Sequence, residues 1–462
     1  MSRTETLLDR LPRLDLESAQ RRSGIEILGK PKEKTKKSRY EIFNHDSVEQ
    51  PTWSEIPNIE YLARLARRET ILQRRNETVE SIAKEHDHTQ PAAIANSSIE
   101  IHTNQGSGWL PVEASIRNFQ WHLSENDVNL KAELQDIKEI FVVQHGVMRN
   151  AKDYFQYFME ALRKAGREYD PKTMLVIAPQ FCAPVDLKGK EKLWSNKVDA
   201  SDVLRWRYND WRGAEPAMNP DAPIDSFTAM DVLLQRIISK TTNLERLEFI
   251  GNSEGAQFVD RYAASSKFLN QLEYHSPDDN TPTVEATVTN AGTALYFGPE
   301  RPIFNTNGEI IGWNEDYTFD SEENTWPLGL YDPPPYVLES LSEWPHADQE
   351  EYPGEPTNMS SYDFMLFNYL NRIILSIGTG DNNPRGSQLP KGPGKGYRAQ
   401  GKTRLQRFLG KVEHLDRLRE RKYLERLILP QFSIITVRGY GHNAKDIFEA
   451  IEIGNERYKE AE

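Results

Sequence analysis

The sequence predicts an α/β protein, a mostly parallel sheet with helices on both faces. Three observations predict it. Short, β-branched apolar runs recur from residue 96 onward, amphipathic helical patterns separate them, and glycine-containing turns follow several of them.

In chain order, Ile99 to His102 and Val112 to Phe119 read as two strands joined at Gly106-Ser107-Gly108, a hairpin signal. Glu139 to Val143 is an apolar strand ending at His145-Gly146. Asp153 to Ala165 follows as a helix with Tyr154, Phe155, Phe158 and Leu162 on one face and Gly166 as its stop. Met174 to Ala178 is a strand, Ser226 to Ile238 a helix, Leu247 to Ile250 a strand and Ala256 to Ala264 a helix. Val284 to Val288, Ile373 to Ile377 and Phe432 to Val437 complete the strands, and Asn443 to Ile453 closes as a helix. Ligands of such sheets bind beyond the carboxyl ends of the strands.

The polar excess of the chain has definite places. The 462 residues are 37% apolar and carry 57 Lys and Arg against 70 Asp and Glu, a formal charge of −13. Residues 1–90 hold 17 basic and 16 acidic side chains with only 27 apolar ones. Such a segment buries too little surface to offset chain entropy. Residues 1–92 are therefore expected to be a charged extension, partly disordered, with helical spacing from Leu7 to Leu16 and more strongly from Ile59 to Ala83. The basic run between Lys30 and Arg39 has the composition of an import tag or phosphate site, but reads first as a solvated linker. Residues 93–298 form the first part of the core and 361–462 the second. Between them, 299–360 is rich in Pro and acidic residues, including Pro333-Pro334-Pro335, and is expected to be an irregular cap or lid.

The same numbers exclude several classes. No run of about 18 apolar residues exists, which excludes a transmembrane helix. The first residues lack an apolar stretch of signal-peptide length, so a cytoplasmic location is expected. The lone Cys182 excludes an intramolecular disulfide and a Cys-rich zinc site. The acidic balance argues against a nucleic-acid partner.

Gly251-Asn252-Ser253-Glu254-Gly255 has the form G-x-S-x-G between a strand and a helix start. Such a sharp turn strains the serine backbone and needs small neighbours, while exposing Oγ at a helix N-terminus. A serine hydroxyl needs a base within reach, and His442, after the last strand and before the last helix, is the candidate. Asp381, following the strand Ile373 to Ile377, qualifies as the group that orients the imidazole. The chain order is Ser, Asp, His, each after a strand. Oxyanion donors would be the backbone N–H of Glu254 and one from Gly146 or Val147, with His145 structural.

These motifs carry a resemblance. From about residue 96 to its end the chain resembles the α/β-hydrolase superfamily of serine hydrolases, most of all an esterase-like branch of bacterial and fungal proteins. The matching residues are His145-Gly146 with Arg149-Asn150-Ala151 and Tyr154, Ser226-Phe227 with Asp231, and Gln257-Phe258-Val259 with Arg261-Tyr262-Ala263. Asn290-Ala291-Gly292 and Pro299-Glu300-Arg301-Pro302 also match. The resemblance implies an α/β-hydrolase fold, a Ser253–Asp381–His442 triad, and no metal or organic cofactor. Two positions depart from it: Asn252 stands where the branch has His, and Glu254 where it has a small residue.

Other features weigh less. His86-Asp87-His88 lacks a third metal ligand at suitable spacing. Trp206 and Trp211 are candidates for a substrate pocket or for core packing. Lys391 to Lys411 holds seven basic residues and no acidic one. It reads as a mobile solvated loop, or else as a holder of an anionic substrate. The expected function is hydrolysis of a small-molecule carboxylic ester through an acyl-enzyme. A peptidase or acyltransferase would use the same triad, and a non-catalytic protein of this fold would bind a protein partner through its extension.

Overall fold

The computed structural model describes residues 69–73, 91–115, 134–166, 169–193, 197–274, 281–318, 320–342, 361–382, 396–424 and 429–459. The elements begin with β1 (Glu69–Gln73), β2 (Ser97–Thr103), β3 (Gly106–Ala114), β4 (Glu139–Gln144), α1 (Ala151–Lys164) and β5 (Met174–Pro179). They continue with α2 (Ser226–Ile238), β6 (Arg246–Asn252), α3 (Glu254–Ser265), α4 (Lys267–Tyr274) and β7 (Thr283–Thr289). A small hairpin, β8 (Arg301–Phe304) and β9 (Ile310–Asn314), precedes α5 (Pro335–Ser342) and α6 (Ser361–Arg372). The chain closes with β10 (Ile373–Gly378), α7 (Arg404–Leu424), β11 (Ser433–Arg438) and α8 (Ala444–Lys459).

Nine strands form one sheet in the order β1-β11-β10-β7-β6-β4-β5-β3-β2. All pairings are parallel except those of β3, which runs against both β5 and β2. After β5 the chain returns to the far side of β4 and then builds outward through β6, β7, β10 and β11. The order therefore reverses between β4 and β6, and an open α/β sheet offers its crevice at such a reversal. His145 and Ser253 follow those two strands.

Both faces of the sheet are covered, and the strand alternation shows it. Ile140 and Val142 enter one core with Leu233 of α2, Phe258 and Tyr262 of α3, Leu366 of α6 and Val412 of α7. Phe141 and Val143 enter the other, with Phe158 and Leu162 of α1 and Ile447 and Phe448 of α8. Burial on both sides is why these strands read as continuous apolar runs. Among the described residues no helix is long and apolar enough to cross a membrane.

Four local expectations need correction. Within the stretch Ile59 to Ala83, expected to be helical, the described residues Glu69–Gln73 are instead β1, which pairs parallel with β11 in the register Ile71↔Thr436. The rest of that stretch lies outside the described residues. Without β1 the edge of β11 would present unpaired N–H and C=O groups, and that non-local gain outweighs local helical spacing. The hairpin turn is Asn104-Gln105, and Gly106 to Gly108 already belong to β3.

The 299–360 segment is not irregular where described, since it holds the β8–β9 hairpin and α5. Pro335 occupies the first position of α5, where a missing N–H costs nothing. Trp326, Leu330, Tyr336 and Val337 are buried in the first core. Asp231 of α2 holds this segment down, accepting from Tyr336 Oη and Tyr262 Oη at 2.5 Å each and from Ser266 Oγ at 2.9 Å. Burial pushes its carboxyl up to about 6, against those bonds.

The fourth correction concerns the basic run. From Arg404 onward it is the long helix α7, with Arg407 and Lys411 buried. Their charges serve the backbone of residues 291–300, which is buried outside any strand and must find partners. Arg407 donates to Gly292 O and Lys411 to Leu295 O. Arg301 donates to Gly298 O at 2.6 Å, and Gln400 bonds both N and O of Ala294. Leu295 N donates to Asp260 Oδ2 at 2.7 Å and Phe297 N to His414 Nε2 at 3.0 Å.

Candidate active site

Strand β6 ends at Asn252 and α3 begins at Glu254, so the turn is a single residue. Ser253 has φ 62° and ψ −119°, a strained conformation for a residue with a Cβ. It persists because its neighbours leave no alternative. A Cβ on Gly251 would lie 2.5 Å from the carbonyl of Gly255, and one on Gly255 would lie 2.4 Å from Gln144 O. Ser253 N donates to Thr289 O at 3.1 Å, pinning the turn to the end of β7. The hydroxyl is thereby held at the N-terminus of α3, where backbone N–H groups converge.

Asp381 sits in the turn after β10, its N–H donating to Gly378 O at 2.9 Å. Its Oδ2 accepts from His442 Nδ1 at 2.7 Å, across 61 residues of sequence. That bond fixes the tautomer and makes Nε2 the basic nitrogen of the ring. Arg404, the first residue of α7, reaches the other carboxylate oxygen, Nη1 to Oδ1 at 3.3 Å. Burial works against the Asp381 charge, yet the bond and charge of His442, followed by Arg404, hold its pKa below the usual carboxylate value.

A strained serine follows β6, an aspartate follows β10 and its histidine partner follows β11, all at the carboxyl edge of a largely parallel sheet. This is an α/β-hydrolase fold.

The remaining expected residues lie around that elbow. Gly146 follows β4, and a Cβ on it would lie 2.5 Å from Tyr154 Oη and 3.6 Å from Asn252 O. The loop is therefore packed directly against the Ser253 turn. His145 is fully buried, its Nδ1–H donating to Gly146 O at 2.9 Å while Nε2 accepts from Phe181 N at 3.0 Å. Burial pushes its pKa down to about 4, so the ring is neutral. Val147 O accepts from Arg149 Nη1, and Arg149 forms a buried two-bond pair with Asp186 at 2.7 and 3.0 Å. That pair holds the loop from beneath.

The two departures noted in the sequence both have partners. Glu254 turns its carboxylate onto Arg212, and Asn252 Nδ2 donates to His442 O at 3.1 Å. The indoles of Trp206 and Trp211 are fully buried and do not present a wall to solvent. Trp211 stacks on Phe181 at 5.6 Å and meets the His145 ring edge-on at 4.6 Å, so both belong to the core. His86-Asp87-His88 and the basic run 30–39 lie outside the described residues. Sequence reading missed Arg212, Arg404, Asp186 and the role of Asn290. Only Asn290 carried a signal, as part of the Asn-Ala-Gly motif.

No family model matches this chain, and no curated protein matches it. Among solved structures it is similar to a poly(3-hydroxybutyrate) depolymerase from Bordetella parapertussis, at 18% identity over 77% of this chain and 88% of that one, with a TM-score of 0.42. It is also similar to poly(aspartic acid) hydrolase-1 from Sphingomonas sp. KT-1, at 15% identity over 80% and 98%, TM-score 0.40. An S-formylglutathione hydrolase from Agrobacterium tumefaciens shares 10% identity over 79% and 93%, TM-score 0.32.

Proposed function

We propose that this protein is a serine hydrolase that cleaves a carboxylic ester through an acyl-enzyme. The observation that carries the reading is the 2.7 Å bond from His442 Nδ1 to Asp381, on the same sheet edge as the strained Ser253. In this reading His442 Nε2 takes the Ser253 proton as Oγ attacks the ester carbonyl. The imidazolium that forms is stabilised by Asp381. The tetrahedral oxyanion is met by the backbone N–H of Glu254 and by that of Gly146 or Val147, aided by the N-terminal end of α3. His442 then protonates the departing alcohol. Water, activated by the same ring, attacks the acyl-enzyme and releases the acid, returning Ser253 to its resting form. The sequence of steps needs only these side chains and water.

A fluorophosphonate probe tests the assignment. Wild-type protein labels at Ser253 and Ser253→Ala does not. An unlabelled wild type, or equal labelling of the variant, overturns the nucleophile. p-Nitrophenyl esters of rising acyl length then report turnover and the size of the acyl site.

A further inference from the structure

Asn290 is the first residue after β7 and lies at the centre of the sheet edge, fully buried, with φ 50°. Its side chain makes three hydrogen bonds, two to chain neighbours of the proposed triad and one to the glycine three residues before Asp381. Nδ2 donates to Asn252 Oδ1 at 3.1 Å, beside Ser253. The same nitrogen donates to Gly441 O at 3.2 Å, beside His442. Oδ1 accepts from Gly378 N at 2.9 Å, where the turn to Asp381 begins. The amide cannot be flipped, because Gly378 supplies a proton and Gly441 a lone pair. Asn252 extends the network by donating to His442 O at 3.1 Å. The main chain joins in, with Asn290 N donating to Ser376 O at 3.1 Å and the preceding Thr289 O accepting from Ser253 N.

We infer that Asn290 is a positioning residue for catalysis, a carboxamide hub that sets Ser253, Asp381 and His442 in register with one another. This rests on the proposed hydrolase reading and adds to it the group that relates three loops from three different strands. His442 and Asp381 are joined by a side-chain bond, and the network around Asn290 adds ties from the loops carrying that pair to the serine turn. The hub ties those backbones together. A displacement of about 1 Å between reacting groups is enough to cost around a hundredfold in rate.

Two substitutions separate the side chain from the backbone conformation. Asn290→Asp has the same shape and still accepts from Gly378 N. It places an oxygen against Asn252 Oδ1 and Gly441 O in place of the donor. Asn290→Gly keeps the left-handed φ without strain and removes the amide. With p-nitrophenyl acetate, both are expected to lose at least tenfold in kcat with KM within about twofold. Fluorophosphonate labelling of Ser253 slows in parallel. For Asn290→Asp the deficit relative to wild type shrinks as pH falls and the introduced carboxyl regains a proton to donate. Loss of folded protein would show in the near-ultraviolet circular dichroism, whereas misplacement of the reacting groups lowers kcat in protein that is fully folded. Either variant, folded by near-ultraviolet circular dichroism and turning over within twofold of wild type across the pH range, overturns the proposal. A wild type that fails to label sinks the hydrolase reading itself, which is a separate result.

Discussion

The Glu254 carboxylate is paired with the Arg212 guanidinium, and both side chains are largely buried beside the Ser253 turn. The backbone N–H of Glu254 is the expected oxyanion donor, so the same residue brings a favourable dipole and an unfavourable charge to one place. Arg212 neutralises the charge. Its own carbonyl accepts from Arg261 Nη1 at 3.2 Å, which locks the short turn carrying it onto α3. Arg212→Ala is expected to lower kcat on p-nitrophenyl acetate by roughly tenfold, or about 1.4 kcal/mol of transition-state stabilisation. Arg212→Ala combined with Glu254→Ala should recover most of that loss. A double variant no better than Arg212→Ala would show that the arginine acts in some way other than by neutralising Glu254.

Arg404 acts on the opposite end of the site. With His442 it keeps Asp381 ionised despite burial, so the folded-state pKa of Asp381 lies below its unfolded value. Stability from this group is therefore present above the unfolded pKa of about 3.9 and lost as pH falls through the lower folded value. Arg404→Met removes one of the stabilising charges and raises the folded pKa toward the unfolded one, so the variant is less stable than wild type above about pH 4 and loses less on acidification. Thermal midpoints between pH 3 and 6 should show the variant below wild type at the upper end and the gap closing as pH falls below about 3.9. Parallel curves would mean that Arg404 contributes nothing to the carboxylate.

Much of this site is legible in the sequence, and for a physical reason. Ser253, Asp381 and His442 each follow a strand buried on both faces, and such strands announce themselves as apolar runs. Their glycine-rich turns then mark the carboxyl edge. What escapes the sequence depends on encounters between distant segments. Arg407 and Lys411 look like solvated charges until the carbonyls of Gly292 and Leu295 are brought to them. Leu405, Phe408, Leu409, Val412 and Leu415 do have helical spacing, but the glycines upstream obscure where that helix starts. Strand β1 is five residues long and exists because β11 offers an open edge, which no local pattern records.

Gly255 shows how narrowly the elbow is built. Its missing Cβ leaves room for Gln144 O and His145 O, which a Cβ would meet at 2.4 and 2.5 Å. Both are backbone atoms at the end of the central strand and cannot swing aside. Gly255→Ala is expected to destabilise the fold by about 1–3 kcal/mol or more, in line with overpacking of a close-packed interior. Differential scanning calorimetry should record a lowered midpoint together with slower labelling of Ser253. An unchanged midpoint would mean that α3 and β4 are not in contact at this point.

Lys411 offers the clearest test that the basic run is interior. Burial pushes its ammonium down to about 8, from an ordinary value of 10.5, while Asp260 partly opposes that fall. The charge lies over the rings of Phe297 and Tyr369, at 4.8 and 4.6 Å from their centroids. Because the folded state releases this proton before the unfolded state does, the unfolded chain binds more protons between about pH 8 and pH 10. Stability from this group therefore rises with pH across that window, by up to about 1.4 kcal/mol per pH unit. Lys411→Met keeps the length of the side chain and has no proton to release. At neutral pH it loses the bond to Leu295 O but also avoids burying a cation, two effects that offset each other. The difference in unfolding free energy between wild type and Lys411→Met, measured by urea at pH 7, 8 and 9.5, should grow in favour of the wild type as pH rises. A constant difference would place the ammonium in water, and the reading of α7 as a helix with its cations turned inward would fall with it.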